Sequence, residues 1–286
     1  MKVITIDDEN YPYRLKECVD APFILYQMGE AKLSTPRMIS IVGTRKSTHY
    51  GNSICENLVH ALKPYQVTIV SGLAYGIDVT AHQACLTSQT PTIGVLGHGL
   101  DRIYPSAHRS IAKAMLNNGA LLTEFLSKTI PDKDNFPKRN RIVAGLCDAT
   151  VVVESGPKGG SLITAHLAGD YNREVFAFPG RIDDPQSSGT NYLIKNHKAH
   201  LIENIDDFIS LMGWEKQSTE LKDKPLPKLK GTEKEVYNIV LENGSTEIDL
   251  ISKKLNIPIS DLTPVLLEME FNEIIRSKPG NRYIVD

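Results

Sequence analysis

The chain has 286 residues, is 41% apolar and carries a net charge of −2. That suffices to bury a core in one large domain with room for a small second one, and it excludes a disordered or polybasic protein. A site for a polyanion must then be a local patch and not a global charge excess. The cysteines, Cys18, Cys55, Cys85 and Cys147, are widely spaced, with no CxxC pair and no Cys/His cluster. They read as reduced, mostly buried small side chains, with neither a disulfide framework nor a metal site. The N-terminal MKVITIDDENYPYRL has no signal-type apolar stretch, and no window reaches membrane-span length, so a soluble cytoplasmic protein is expected.

Residues 1–36 read as a lead-in packed on the core, with Pro22–Tyr26 a strand or packed loop before Gly29. From Arg37 to residue 213 a regular rhythm follows. Apolar runs at Met38–Val42, Val67–Val70, Thr92–Leu96, Ala120–Thr123, Thr150–Val153 and Glu174–Phe178 alternate with stretches of helical length. The runs are rich in Val and Ile and barely alternate, as strands buried on both faces do. The fold class is therefore α/β, a Rossmann-like, mostly parallel sheet flanked by helices. Ligands of such sheets lie beyond the carboxyl ends of the strands, where the next motifs fall.

Gly43-Thr44-Arg45-Lys46 follows the first run. Its glycine permits close backbone approach, Thr44 and the next amides can donate to phosphate, and Arg45 can grip phosphate bidentately. It is not GxGxxG, so the dinucleotide fingerprint is missing. Ser71-Gly72-Leu73-Ala74-Tyr75-Gly76-Ile77-Asp78 turns into a helix, with Ser71 and Gly72 as ligand candidates and Asp78 as the N-cap. Gly97-His98-Gly99-Leu100-Asp101 adds another rim loop, with His98 facing solvent. Phe136-Pro137-Lys138-Arg139-Asn140-Arg141 sets three cations beside an aromatic on a helix starting near Pro137. Cations neutralise phosphates and an aromatic can stack on an unpaired base. Ser155–Ala165 is a glycine-rich loop in which Lys158 supplies charge, the Gly159 and Gly160 amides an anion concavity, and Ser161 the cap of a helix carrying Thr164. An ordinary turn or a solvated basic helix end explains the parts singly. Together they make one anion-binding rim, with no catalytic group and no cofactor expected.

The small unit at 231–286 follows a polar, proline-containing linker, 214–230. Its helices carry Val236, Ile239 and Val240, then Ile248, Ile251 and Leu255, then Leu262, Val265, Leu266 and Met269. A hairpin around Pro279-Gly280-Asn281 completes what reads as a winged helix. The unit holds ten acidic and six basic side chains, a net of −4, which leaves +2 to residues 1–230. Its third helix, about 260–272, has Asp261, Glu268 and Glu270 but no Lys or Arg. Phosphates repel such a helix, so a protein-contact module is expected in place of a duplex reader. The wing cations Arg276, Lys278 and Arg282 leave room for a minor DNA contact.

The set GTR (43–45), SGLAYGID (71–78), FPKRNRIVAGL (136–146), the Gly-Gly-Ser-x-x-Thr-Ala run (159–165) and FPG (178–180) resembles the DprA/Smf (DNA-processing protein A) family over about residues 7–286. The resemblance implies a protein without catalytic activity that binds single-stranded DNA and loads the RecA recombinase in natural transformation. It also implies a homodimer, and DNA contact through Arg45, Lys138, Arg139 and Arg141. Many members carry an extra N-terminal helical module, which is expected to be absent here. Removing Arg45 or Arg139 should then lower affinity without unfolding the chain. The alternatives are enzymes. The Gly159–Thr164 segment is similar to the PGGxGTxxE loop of nucleotide phosphoribohydrolases, but His166, Leu167 and Ala168 stand where the glutamate is needed. A dinucleotide-dependent oxidoreductase lacks its fingerprint.

Overall fold

The computed structural model describes residues 1–214, 229, 231–243, 246–272, 274–278 and 282–285. The expected linker, apart from Trp214 and Leu229, and the turn Pro279-Gly280-Asn281 lie outside these residues, as does the side chain of Lys278. The chain divides into two compact units, 1–217 and 218–286.

In the first unit, β1 (Lys2–Thr5), β2 (Ile24–Gly29), β3 (Met38–Val42), β4 (Thr68–Ser71), β5 (Thr92–Val95), β6 (Gly119–Thr123), β7 (Ala149–Val152), β8 (Glu174–Ala177) and β9 (His200–Leu201) form one sheet. Their order is β1-β2-β6-β5-β4-β3-β7-β8-β9. The pairs from β6 to β9 are parallel, whereas β1–β2 and β2–β6 are antiparallel. The lead-in is thus an edge hairpin of the sheet, with β1 formed where the sequence shows no apolar run. Arg14 pins it to the core. Its buried guanidinium donates to Asp148 at 2.6 Å and to the carbonyls of Thr35 and Pro36.

All five residues of β3 are buried, which explains the missing alternation. Ile39 and Ile41 face one side, packed with α2 (His49–Leu62) and α3 (Ile77–Ser88); Met38 and Val42 face the other, packed with α5 (Asn135–Gly145) and α6 (Gly160–Asp170). All four cysteines are free and buried. Strands β3 to β6 run outward one way from β3, and β7 to β9 run the other way. The order therefore reverses between β3 and β7, where an open α/β sheet presents its ligand crevice. Three further helices, α1 (Tyr13–Lys16), α4 (Arg109–Met115) and α7 (Ser188–Lys195), and α8 (Ile205–Met212), against which Phe176 and Trp214 pack, complete the unit.

The second unit has α9 (Thr232–Asn243), α10 (Ile248–Leu255) and α11 (Ile259–Phe271) around Val236, Val240, Ile251, Leu262, Leu266 and Met269. Strands β10 (Thr246–Glu247), β12 (Arg282–Ile284) and β11 (Arg276–Lys278) pair antiparallel beside them in that order.

Candidate functional site

At the strand-order reversal the loops after β3 and β7 meet. The Thr44 amide donates to the Glu154 carbonyl at 2.8 Å, and the Ile77 amide donates to the Thr44 carbonyl at 3.2 Å. Gly43 has to be glycine, because a Cβ there would lie 2.5 Å from Ile77. Glu154, buried at the end of β7, accepts from the amide and the hydroxyl of Thr48, and so holds the 44–48 turn. Gly76 sits at φ +74°, which favours glycine, and a Cβ there would also strike the Thr44 carbonyl.

Between these loops and α5 lies a cleft of about 680 Å³. Gly43, Thr44, Arg45, Gly72, Phe136, Arg139, Asn140, Gly159, Gly160, Ser161 and Thr164 all line it. Four separate sequence segments thus converge on one space. Lys46, Lys138 and Lys158 are exposed but outside the lining; Ser71, which is buried, and Arg141, which is half-buried, are outside it too.

Three assignments change in role. Ser71 is fully buried and its hydroxyl donates to the Ile41 carbonyl at 2.7 Å, so it braces neighbouring strands. Arg141 donates to Glu124 and to the Asp20 carbonyl, which ties α5 to the lead-in. Arg139 is 5% exposed and donates to the carbonyls of Gly72, at 2.5 Å, and Val95. Burial brings its guanidinium down to about 10, against the pull of Asp78, so it stays charged at neutral pH. It is a buried strut that lends positive potential to the cleft floor.

The helix starts also differ. α3 begins at Ile77 with Gly76 as N-cap, so Asp78 stands inside the first turn, and its carboxylate accepts from the Ala74 amide at 3.3 Å. Burial raises the Asp78 pKa, and the Arg139 charge opposes the shift. α5 begins at Asn135, before the expected Pro137. α6 begins at Gly160 with Gly159 as N-cap and no capping side chain, while the Ser161 hydroxyl donates to Ser155 Oγ at 2.8 Å. The amides that open α6 lie at the cleft wall, where a helix terminus favours negative charge. A Cβ at Gly160 would meet nothing within 4 Å, so this corner is open. His98, expected in solvent, is 1% exposed; its Nδ1 lies 2.9 Å from the Gly99 carbonyl and its Nε2 accepts from the Tyr104 amide at 3.3 Å.

Tyr104, Pro131 and Lys133 line the cleft from outside the sequence motifs. Lys133 is exposed in the loop before α5. The Tyr104 ring stacks near Phe136, 6.0 Å between centroids and 29° between planes. The Arg45 guanidinium sits 5.4 Å from the Phe136 centroid. Among the described residues no cluster of three metal-ligating side chains is present, and no helix is long and apolar enough to cross a membrane.

The family model described as DNA recombination-mediator protein A matches residues 2–213. The chain is 34% identical to Protein Smf of Synechocystis sp. over 98% of this chain and 79% of that one. It is 40% identical to DNA processing protein DprA of Streptococcus pneumoniae over 72% of each. The solved structure of DNA processing protein A from Streptococcus pneumoniae superposes with a TM-score of 0.70 at 38% identity, covering 75% of this chain and 74% of that one. The Helicobacter pylori protein superposes with a TM-score of 0.68 at 33% identity, covering 75% of this chain and 98% of that one; it has a unique single-stranded DNA binding mode.

Proposed function

The chain belongs to the DNA recombination-mediator protein A family, and from that premise we propose that it binds single-stranded DNA in the β3/β7 cleft and hands it to the RecA recombinase during natural transformation. The observation that carries this reading is the convergence of Gly43–Arg45, Gly72, Phe136–Asn140 and Gly159–Thr164 on one cleft. Phosphate fits at the N-terminus of α6, which has no capping side chain, with Arg45 and Lys133 as exposed cations and Arg139 as a buried one. Lys46, Lys138 and Lys158 extend the field to strand running out of the cleft. Contacts of this kind are to the backbone, so binding is largely independent of sequence.

The role is binding and not catalysis. Asp78 is the one carboxylate among the lining residues, and its carboxyl is engaged with the Ala74 amide within its own turn. The assembly is a homodimer. The 231–286 unit is a winged helix that contacts protein, because Asp261, Glu268 and Glu270 make α11 repel phosphate. The chain works in the cytoplasm, where RecA and incoming strands meet.

The test is fluorescence anisotropy with single- and double-stranded oligonucleotides at two salt concentrations, for wild type and Arg45→Ala. Single strands should bind more tightly, and affinity should fall by orders of magnitude from about 50 to 200 mM salt if six or more phosphates are neutralised. Arg45→Ala should weaken binding at both salts. Unchanged binding by this variant would refute the assigned site.

A further inference from the structure

Apart from the cleft, the first unit has a second hollow beside α4. Met28 of β2, Leu121 of β6, Leu100 and Ile103 of the loop after β5, and Leu116 at the end of α4 line a pocket of about 270 Å³. Leu100 and Leu121 are buried, whereas Met28, Ile103 and Leu116 are only partly so, and the apolar floor is left open to water. Cations stand around it. Arg109 and Lys113 lie four residues apart on α4, hence on one face of it, and both are exposed. Neither side chain has an ion-pair or hydrogen-bond partner among the described residues. The third cation, Arg102, is already paired with Asp101 at 2.9 Å, and Asp101 also accepts from the Lys128 amide at 2.7 Å. The one carboxylate in the lining is therefore engaged, and two positive charges are left over beside an apolar hollow.

We propose that this pocket docks an acidic peptide segment of a protein partner, with one large apolar side chain seated in the hollow and the flanking carboxylates on Arg109 and Lys113. Charge complementarity selects the occupant. Two unneutralised cations attract a carboxylate-bearing chain and steer its approach. The floor selects against a nucleic-acid strand, because no aromatic ring lines it and unpaired bases stack on rings. The volume holds one side chain and falls below the roughly 300–1,000 Å³ of small-molecule sites. An apolar side chain that enters removes both its own surface and the floor from water, which supplies the affinity that exposed charges alone do not. The pocket shares no lining residue with the cleft, so peptide docking stands or falls independently of DNA binding.

The experiment titrates the full chain into a fluorescein-labelled peptide that carries one phenylalanine between two pairs of aspartates, and reads the anisotropy. One control peptide has serine in place of the phenylalanine, and another has lysines in place of the aspartates. Wild type should bind the parent peptide with a Kd below about 1 mM, and the serine peptide about ten- to one-hundred-fold more weakly, the contribution of one buried apolar side chain. The lysine peptide should not bind, and parent binding should weaken between about 50 and 500 mM salt. The double variant Arg109→Ala, Lys113→Ala should bind the parent about two- to thirtyfold more weakly and hold oligo-dT as wild type does. Equal affinity for the phenylalanine and serine peptides, or no parent binding at about 1 mM, would overturn the pocket. A double variant that keeps its peptide affinity but loses oligo-dT would place these cations on the DNA path and overturn it too. Should the double variant fail to fold, the wild-type comparison of the three peptides decides alone, because the apolar and charged halves of the site are then both tested on the peptide.

Discussion

Arg139 and Gly72 fit each other as strut and socket. The guanidinium donates to the Gly72 carbonyl at 2.5 Å, and a Cβ on Gly72 would lie 2.5 Å from both terminal nitrogens. The glycine thus makes room for a charge that would otherwise not pass under the 71–76 turn. Gly72→Ala should displace that guanidinium and destabilise the fold by about 1–3 kcal/mol, the usual cost of overpacking. Chemical denaturation measures the loss. A variant as stable as wild type would show that the strut has slack.

Arg45 and Arg139 look alike as residues of basic motifs, yet their removal should have different consequences. Arg45 is exposed, so Arg45→Ala should keep wild-type stability and lose DNA affinity. Arg139→Ala strips two carbonyls of their donor and leaves Asp78 without its compensating charge, at a cost of about 3 kcal/mol or more. The paired measurement is unfolding midpoint against oligo-dT affinity for both variants. A midpoint for Arg139→Ala equal to wild type would place its guanidinium in the solvent and not under the turn.

The six apolar runs locate β3 to β8 to within one residue at either end, because strands buried on both faces leave an unbroken apolar signature. Strands β1 and β9 leave none. Lys2–Thr5 and His200–Leu201 are edge pieces that become strands only because a partner offers hydrogen bonds. The motifs mark segments that meet at one cleft, but not the side of a helix that each residue takes. Within Lys138–Arg141, helical geometry turns Arg139 inward and leaves Arg141 beside Glu124. Cap reasoning expects a side chain that bonds the first turn, and so it picks Asp78 and Ser161. The actual caps are Gly76 and Gly159, which serve through backbone freedom and close approach. Tyr104 and Lys133 reach the cleft on loops whose course depends on tertiary packing.

Stability should fall in mild acid through His82. This ring is fully buried in α3, with Nδ1 2.7 Å from the Thr92 hydroxyl and with Nε2 lacking a hydrogen-bond partner among the described residues. Burial, then the charges of Arg139 and His108, push its pKa down from 6.5 to about 3. A folded-state value below the unfolded one means that the unfolded chain binds the extra proton. The contribution is therefore full above pH 6.5 and is lost as pH falls toward 3, by on the order of 4 kcal/mol in total. Asp78 works in the opposite direction, since its raised carboxyl favours the folded state below its own titration. The expected net result is a wild-type denaturation midpoint that drops between pH 7 and pH 4.5, before carboxylates dominate. His82→Asn should flatten that slope. An unaltered slope in this variant would assign the acid sensitivity elsewhere.

The turn that carries Arg45 depends on a carboxylate far away in sequence. Glu154 accepts from both the amide and the hydroxyl of Thr48, while the Thr48 hydroxyl accepts from the Gly51 amide as N-cap of α2. Glu154→Ala should cost about 2 kcal/mol by orphaning the Thr48 donors, and Thr48→Ala about 1 kcal/mol by removing the cap. The two losses share one network, so the double variant should lose less than their sum by at least about 0.5 kcal/mol. Amide hydrogen exchange across 43–48 should quicken in both single variants, and oligo-dT affinity should fall with it although Arg45 is untouched. Additive stabilities with unchanged exchange would separate the Glu154 side chain from the turn and leave Arg45 positioned by the main-chain bonds of Thr44 to Glu154 and Ile77.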